Sequence, residues 1–386
     1  MATFDFDIIY ISLNLLLLFV FYKSGVNVSR GRDYWLNAKN CIFAFTIVLG
    51  ARYMRGNDYA HYLNVYKYDL EDSQKVYTFL CDAMKVLGIN EYGSFLVYAF
   101  AFSLCLFVFL KKYRQYAQYL FPFSLMFLLF FHEFMIRQAF SYSFVFLYIN
   151  KLSEFSASDN KLKIFSRKNY PIILWCVCLF IIITGIHSAN ALVVAVFTFS
   201  YLFLRKPLPW KITIPALALS TYVLSKSFDF SFLNSILSYL GGTNEKFANY
   251  VDNSEMFFSA DAKNDIYTRN PIFGFTEILG YASLFYFAPK IIERFENNQS
   301  VTTLFNCCVF GCIIQALFIN LEILNRMGFV FKILTFFPLA LVFYYRKFIR
   351  INPKAKLLYL FLFFLFYDYL KLLFFRDGMT KFLWDM

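Results

Sequence analysis

Apolar runs about as long as a lipid bilayer is thick follow one another along most of this chain. A helix needs roughly 20 predominantly apolar residues to cross the hydrocarbon core, with some tolerance. Such runs lie near 6–22, 38–54, 93–110, 115–131, 134–150, 170–186, 188–204, 209–225, 271–289, 301–320, 326–345 and 355–374. The sequence therefore predicts an all-α, polytopic integral membrane helical bundle of about twelve transmembrane helices in a single transmembrane domain, 1–386. The divisions at 131–134 and 186–188 each require a very tight turn.

Composition and charge distribution favour the same class. Hydrophobic residues make up 60% of the 386 and charged residues only 16%, a balance well outside that of a soluble domain of this length. The formal net charge is +12, but the basic residues are scattered in short clusters between apolar runs, as in membrane loops. We therefore exclude nucleic acid as a partner.

Lys and Arg concentrate in every second loop, which indicates the orientation of the bundle. Basic loops such as KKYRQ at 111–115 and YRKFIRINPKAK at 345–356 alternate with others that include two long loops, 55–92 and 226–270. In the long loops, acidic residues match or outnumber basic ones. Because Lys and Arg are retained on the cytoplasmic side, we expect both termini and the two long loops to be external. The acidic start, with no evident cleavage site, predicts a retained first span.

Ionisable side chains gather at the predicted outer ends of several spans. The three histidines, His61, His132 and His187, all fall there. The other members of this group are Arg52, Arg55, Asp58, Glu133, Arg137, Glu322 and Arg326. Charged groups are costly inside a bilayer and are functional-site candidates by default. We expect these spans to converge on one cavity in the outer leaflet.

Two of these arginines follow an acidic residue by four positions. Arg137 follows Glu133, and Arg326 follows Glu322. On a continuous helix that spacing forms an ion pair on one face. Structural pairing and binding of an anionic ligand are therefore equal alternatives for each arginine.

The stretch ARYMRGNDYAHYLNVY follows the second apolar run and is rich in basic and aromatic residues. Arg52, Arg55 and Asp58 are spaced at i, i+3 and i+6, and His61 continues the same face if the helix persists through Gly56.

Tyr59, Tyr62 and Tyr66 form an adjacent aromatic stripe. One interpretation of the whole stretch is an interfacial belt, which is common at bilayer surfaces. The other is a site for a ligand with anionic and sugar-like parts. Guanidinium groups form bidentate bonds to phosphate, and tyrosine rings suit apolar sugar faces.

Further ionisable residues lie at a turn or inside spans. His187, in ITGIHSANALVV, lies where one span ends and the next begins, and a histidine in a turn is more often a satisfied hydrogen-bonding group than a catalyst. Four more ionisable residues fall within or near spans: Glu277, Lys332, Asp368 and Lys371. They are functional-site candidates too, because a charge inside a bilayer is costly.

Taken together, these residues resemble the EpsG-like branch of the Wzy-type polysaccharide polymerases. The matching elements, in the family's order, are Arg52 with Gly56-Asn57-Asp58-Tyr59-Ala60-His61-Tyr62, then Ile136-Arg137-Gln138, then His187-Ser188-Ala189, then Arg326. The resemblance covers most of the chain.

The resemblance implies a GT-C-like fold and polymerisation of lipid-linked oligosaccharide repeats at the outer face of a bacterial inner membrane. The growing glycan leaves one undecaprenyl diphosphate and is joined to the outermost sugar of another lipid-linked unit. Cations that hold the developing diphosphate charge stabilise the transition state, and a base takes a proton from the acceptor hydroxyl. The implied partners are undecaprenyl-diphosphate-linked oligosaccharides, membrane lipids, a chain-length regulator and a flippase.

Roles follow from that chemistry. Arg55, Arg137 and Arg326 are assigned to the diphosphate with Arg52 in support, and Tyr59, His61 and Tyr62 to substrate binding. The candidates for the base are His187 and Asp58, with His132 and Glu133 as alternatives. Histidine needs little tuning near neutral pH, whereas an aspartate needs partial desolvation or a helper.

We expect neither a metal nor another cofactor. Asp5 and Asp7 form the DxD triplet that many sugar transferases use, but an acidic outer terminus explains it better. Cys307, Cys308 and Cys312 are better explained as small packing residues than as a soft-metal site. With arginines to neutralise the diphosphate, activity is expected to be undiminished in excess chelator.

Two other functions suit a bundle with buried charges. A flippase for the same lipid-linked sugars would need polar groups in both halves of the bundle, whereas here the polar cluster lies on one side. A ligase that moves finished glycan to a lipid acceptor shares the chemistry and differs only in its acceptor.

Overall fold

The computed structural model describes residues 8–56, 58–70, 74–155, 169–225, 271–296, 298–319, 322–349, 353–374 and 381–382. The predicted external loop 226–270 lies outside the described residues, as does the side chain of Glu322. The helices are α1 (Ile8–Ser29), α2 (Tyr34–Gly50), α3 (Tyr59–Tyr68), α4 (Lys75–Val86), α5 (Glu91–Leu110), α6 (Ala117–Phe134), α7 (Ile136–Leu152), α8 (Tyr170–Ile186), α9 (Asn190–Phe203), α10 (Trp210–Leu219), α11 (Pro271–Ile291), α12 (Gln299–Leu317), α13 (Glu322–Lys332), α14 (Phe336–Tyr344), α15 (Arg346–Ile349), α16 (Pro353–Phe361) and α17 (Tyr367–Phe374). Two short strands, β1 (Arg52–Tyr53) and β2 (Lys381–Phe382), pair with each other.

Four helical stretches are long and apolar enough to cross a membrane: Ile8–Ser29, Glu91–Phe134, Gln299–Leu317 and Leu324–Tyr344. Three shorter apolar helices cover Tyr170–Ile186, Asn190–Phe203 and Trp210–Leu224. The protein is thus an all-α membrane protein. Helix covers most of each of the twelve predicted segments, but a crossing at all twelve stays a prediction.

Aromatic side chains fill much of the core between the long helices. The rings of Phe45 and Phe102 stack with centroids 5.8 Å apart, which joins α2 to α5. Phe21 of α1 meets Phe107 of α5 at 5.6 Å. Offset and edge-on ring pairs of this kind add to the free energy gained from burying the apolar surface.

Glycine lets α12 and α13 approach closely. A Cβ atom built on Gly328 would lie 2.4 Å from the backbone nitrogen of Gln315. Small residues at helix contacts are typical of membrane bundles, where van der Waals packing rather than hydrophobic exclusion holds helices together. Any side chain larger than that of glycine at position 328 would therefore force α12 and α13 apart.

A helix break lies close to each of the two predicted divisions, at Met135 rather than within 131–134, and at His187 within 186–188. Between α6 and α7 only Met135 leaves the helical conformation, with φ −124° and ψ 56°. Between α8 and α9 the turn begins at His187, which ends α8 in an extended conformation. Each turn brings the end of one apolar helix next to the start of the following one.

The basic loops gather at one end of the bundle. Tyr34 at the start of α2 donates to the carbonyl of Phe107 near the end of α5, and Ser29 at the end of α1 accepts from the backbone of Gln118 in α6. Gln299 at the start of α12 likewise bonds carbonyl groups near the end of α9. The tight turns and the segment after α2 lie at the opposite end.

Part of the predicted loop 55–92 is folded into two helices. Side chains of α3 and α4 pack against α5 and α7 in a small second core. Asp69 ends α3 in the left-handed conformation, and Asn90 caps α5 by accepting a hydrogen bond from the backbone of Gly93 at 2.8 Å, as polar N-cap residues typically do.

The helix does not persist through Gly56, so the condition for His61 to continue the face of Arg52, Arg55 and Asp58 is not met. α2 ends at Gly50, Arg52–Tyr53 forms β1, and Gly56 has a φ of 95°. A positive φ is incompatible with a right-handed helix, and glycine adopts it at little cost. Arg52 and Arg55 therefore lie on an irregular connection, and the spacing i, i+3, i+6 does not place them on one helical face with Asp58 and His61.

Candidate functional site

A buried ion pair lies at the end of the bundle opposite the basic loops. Arg55 Nη2 donates to Glu133 Oε1, and the two side chains are 1% and 0% exposed. The helix between Glu133 and Arg137 is interrupted at Met135, so these two residues do not lie on one continuous helical face. Glu133 instead pairs with an arginine from a distant part of the chain.

Tyr10 of α1 contacts both members of the pair. The Arg55 guanidinium carbon lies 3.4 Å from the centroid of the Tyr10 ring, and the Tyr10 hydroxyl lies 3.4 Å from each carboxylate oxygen of Glu133. A cation stacked on an aromatic face away from water is stabilised electrostatically. The sequence alone did not identify Tyr10, because its position in an apolar run carries no spacing signal.

Arg52 and His132 form a second contact beside the first. Arg52 Nη1 lies 3.3 Å from His132 Nδ1, and Arg52 Nη2 donates to the His132 carbonyl oxygen at 3.0 Å. Both residues are buried. Because His132 and Glu133 are neighbours at the end of α6, this single turn of helix holds both arginines. Tyr10, Arg52, Arg55, His132 and Glu133 are called the arginine cluster.

Gly56 allows the connection that carries Arg52 and Arg55 to approach the end of α6 closely. A Cβ atom at this position would lie 2.1 Å from the Glu133 carbonyl oxygen. Only glycine combines the positive φ with this approach. The backbone geometry thus explains why glycine lies one residue after Arg55.

Buried hydrogen-bond donors in this cluster lack acceptors. Among the residues that the structure describes, none accepts a hydrogen bond from Arg55 Nε, Arg55 Nη1 or the Tyr59 hydroxyl. Buried polar groups are normally satisfied, and a charged group left incompletely bonded is costly. A donor-rich, acceptor-poor cluster of this kind is suited to an oxygen-rich anion.

The Tyr59 phenol stays protonated in this environment. Burial raises its pKa well above the ordinary value, and the nearby Arg52 charge only partly opposes that effect. Its ring stacks on Phe95 with centroids 4.1 Å apart. Tyr59 is therefore a fixed donor, consistent with its predicted role in substrate binding.

Arg137 lies in the first turn of α7, below the aromatic residues of α3 and α4. Its guanidinium carbon is 5.3 Å from the Tyr62 ring centroid and 5.6 Å from that of Tyr77. Tyr98 of α5 continues the network by donating to the Tyr77 hydroxyl at 3.2 Å. Stacking on aromatic faces is an interaction that arginine makes better than lysine.

The IRQ and HSAN segments meet at the turn between α8 and α9. Asn190 Nδ2 donates to Ser141 Oγ at 2.9 Å and to the Gln138 carbonyl oxygen at 3.3 Å. Ser141 in turn donates to the Ile183 carbonyl oxygen at 2.8 Å. The half-buried His187 therefore lies on a turn that is fixed to α7, the helix that carries Arg137.

Arg326 is exposed on α13, one turn before Phe329. Phe329 contacts Phe130 and Phe131 of α6, with ring centroids 5.5 and 6.2 Å away. Since Phe131 immediately precedes His132, α13 runs beside the end of α6 that holds the arginine cluster.

Asp58 directly precedes α3 and His61 lies in its first turn, a few residues after Arg55 in the chain. Asp58 is half-buried directly before α3, whereas His61 is exposed, with its ring 5.0 Å from that of Tyr62. Of the predicted site residues, the structure brings Arg55 into direct contact with Glu133 and Arg52 into direct contact with His132.

A second ionic cluster lies deeper among α11, α13 and α17. Lys332 Nζ bonds Glu277 Oε1 and lies 3.8 Å from Asp368 Oδ2. Helix α17, which carries Asp368, also packs against α6, the helix that carries Glu133. Helix α17 therefore contacts elements of both clusters.

Fold and site together define a class: an all-α membrane protein with buried arginines held by a carboxylate and a histidine at one end of its bundle. The model of the EpsG family matches residues 40–383. The chain belongs to the EpsG family, whose members are polysaccharide polymerase-like membrane proteins. No curated protein and no solved structure matches the chain.

Proposed function

We propose that this protein is a polysaccharide polymerase of the bacterial inner membrane. It transfers a growing glycan from undecaprenyl diphosphate to the non-reducing end of a lipid-linked oligosaccharide repeat, at the face directed to the periplasm or exterior. Membership of the EpsG family supports the reaction class. The observation that carries the site is the buried Arg55, whose Nε and Nη1 donors have no acceptor among the described residues.

The reaction replaces one bond at the anomeric carbon of the donor sugar with another. The bond from this carbon to the phosphate oxygen breaks as the acceptor hydroxyl oxygen bonds to the carbon. The hydroxyl proton passes to a base, and undecaprenyl diphosphate leaves with the bonding electrons. Fixed cations that stabilise this developing charge in a water-poor site lower the barrier, so the arginines are the central groups.

The diphosphate is assigned to Arg55, Arg137 and Arg326, with Arg52 in support. Arg55 and Arg52 approach it from the connection after α2, Arg137 from the start of α7, and Arg326 from α13. The rings of Tyr59 and Tyr62, together with His61, are assigned to the sugar and lipid-proximal parts of the substrate.

His187 and Asp58 are proposed as alternative bases, since both are only half-buried and are therefore accessible to a substrate. His132 and Glu133 are better suited to holding the arginines, because Glu133 bonds Arg55 and His132 bonds Arg52. In this proposal the two residues are positioning groups rather than acid–base catalysts.

The same proposal includes the topology. About twelve spans in a GT-C-like bundle would form one domain, 1–386, with loops 55–92 and 226–270 outside. The basic loops would be cytoplasmic, which agrees with their grouping at the end opposite the arginine cluster. A chain-length regulator and a flippase are the expected protein partners.

The test is polymerisation by purified protein in detergent with a synthetic undecaprenyl-diphosphate-linked repeat. Detergent micelles have no two leaflets, so a flippase gives no product, whereas a polymerase gives glycan ladders and one free lipid diphosphate for each bond formed. Arg55→Gln should abolish the ladders, and Arg114→Gln, an exposed arginine at the opposite end, should not. Folded wild-type protein that forms no ladder would overturn the proposal.

A further inference from the structure

Tyr10 brings the first helix into the arginine cluster. It is 1% exposed and lies outside residues 40–383, which match the family model. Its backbone is secured by Asn14, whose Nδ2 donates to the Tyr10 carbonyl oxygen at 2.9 Å. α1 is itself packed along α6, the helix that supplies Glu133.

The ring and the hydroxyl of Tyr10 act on different groups. The ring covers one face of the Arg55 guanidinium at 3.4 Å, and the hydroxyl lies within 3.4 Å of the Glu133 carboxylate. Glu133 occupies Arg55 Nη2. The guanidinium therefore cannot turn about its chain without losing both the ring contact and the ion pair.

A flexible arginine loses side-chain entropy when a ligand immobilises it, and prior ordering of the side chain removes that cost from binding. In this cluster the ordering is supplied by Tyr10 and Glu133 before any ligand arrives. Among the residues that the structure describes, none accepts a hydrogen bond from Arg55 Nε or Nη1.

We propose that Tyr10 is a positioning residue for the diphosphate site: it fixes Arg55 and Glu133 so that the remaining Arg55 donors are directed to phosphoryl oxygens. The first helix then completes the site rather than serving only as a membrane anchor. This inference rests on the proposed function, because it takes the ligand of Arg55 to be a lipid diphosphate.

Two substitutions separate the ring from the hydroxyl. Tyr10→Phe keeps the ring over Arg55, and Tyr10→Leu removes ring and hydroxyl together. The matched control is Phe21→Leu, which removes a ring of equal burial from the same helix where it packs on Phe45 and Phe107. If Tyr10→Leu is not recovered folded, Tyr10→Met fills similar space without a ring.

The measured quantities are the KM for the lipid-diphosphate donor, the thermal unfolding midpoint, and the Kd for farnesyl diphosphate and farnesyl monophosphate. Tyr10→Leu should raise the donor KM and the farnesyl diphosphate Kd roughly tenfold, as loss of a desolvated cation–π contact implies. The monophosphate Kd should change less. Tyr10→Phe should stay within about threefold of wild type, and Phe21→Leu should lower only the unfolding midpoint.

Equal effects of Tyr10→Leu and Phe21→Leu on KM and Kd would overturn the inference, as would unchanged binding in Tyr10→Leu. The Kd measurements distinguish failure of the inference on Tyr10 from failure of the proposed polymerase function. If the wild type binds farnesyl diphosphate but forms no ladder, the proposed polymerase function is overturned. The role of Tyr10 is then decided by the farnesyl diphosphate Kd of Tyr10→Leu. A wild type that binds no diphosphate would overturn both.

Discussion

Arg55 and Glu133 are 78 positions apart in the chain and form an ion pair that is almost completely buried. Transfer of two charges out of water is costly, and the attraction between them repays the cost only while both are present. The pair therefore makes the connection after α2 and the end of α6 energetically dependent on each other.

Loss of one partner should be more damaging than loss of both. We expect Glu133→Leu to lower the free energy of unfolding by about 3–5 kcal/mol, because the Arg55 charge is left buried without compensation. The double variant Arg55→Met/Glu133→Leu should recover most of that stability and still form no glycan ladder. Thermal unfolding in detergent and the polymerisation assay measure the two effects. A double variant as unstable as Glu133→Leu would show that the uncompensated Arg55 charge is not the cause of the instability.

The sequence predicted Arg52, Arg55, His132 and Glu133 as site residues but not which of them contact one another. The length of the apolar stretch required a break between 131 and 134, and such a break also ends any i, i+4 relation between Glu133 and Arg137. The partner of Glu133 then had to come from elsewhere, and no local spacing identifies it. Tyr10 was missed for the same reason, since its contact with Arg55 depends on how α1 packs on α6.

Gly56 offers a test of the backbone geometry with a matched control. Gly56 and Gly31 both have a positive φ, 95° and 86°, but only at Gly56 would a Cβ collide with another part of the chain. Alanine in the left-handed region costs about 1–2 kcal/mol at either site. Gly56→Ala should lower the unfolding midpoint further than Gly31→Ala and should abolish polymerisation. Equal effects of the two substitutions would show that the approach to Glu133 is not required.

Arg137 is predicted to act on the substrate rather than to hold the fold. Arg137→Ala should reduce the rate of chain lengthening by about a hundredfold or more, the usual effect of removing one donor to a developing anion. The amount of protein in the membrane should stay unchanged. Arg137→Lys should recover only part of the rate, because lysine keeps the charge but stacks less well on Tyr62 and Tyr77. Unchanged glycan length in Arg137→Ala would remove this residue from the site.

Hydrophobic length is a local signal, and helix covers most of each apolar segment that it identified. The orientation that the charge bias indicates stays a prediction. The structure adds what depends on longer-range contacts. β1 pairs with β2 near the end of the chain, with Arg52 opposite Phe382. A segment of two residues is too short to show an alternating pattern, so neither strand was predicted. The two helices within 55–92 were also not predicted, although the stripe of Tyr59, Tyr62 and Tyr66 does lie on one buried face of α3.

The orientation of the bundle is testable by labelling cysteines in spheroplasts with a membrane-impermeant maleimide. Burial raises the pKa of the Cys81 thiol, so less of the reactive thiolate forms near neutral pH and the native thiol should react slowly. Leu87 is 76% exposed at the end of α4. Leu87→Cys in a Cys81→Ser background should therefore react at least about tenfold faster than Cys81.

The matched position at the other end is Arg114, which is also exposed. Arg114→Cys in the same background should react only after the membrane is permeabilised, because the basic loops are predicted to be cytoplasmic. Raising the pH should increase the rate at Cys81 as its thiolate forms, and should change the Leu87→Cys rate less over the same range. Labelling of Arg114→Cys in intact spheroplasts, with Leu87→Cys protected, would place the arginine cluster on the cytoplasmic side. Polymerisation of exported, lipid-linked repeats would then be impossible at this site.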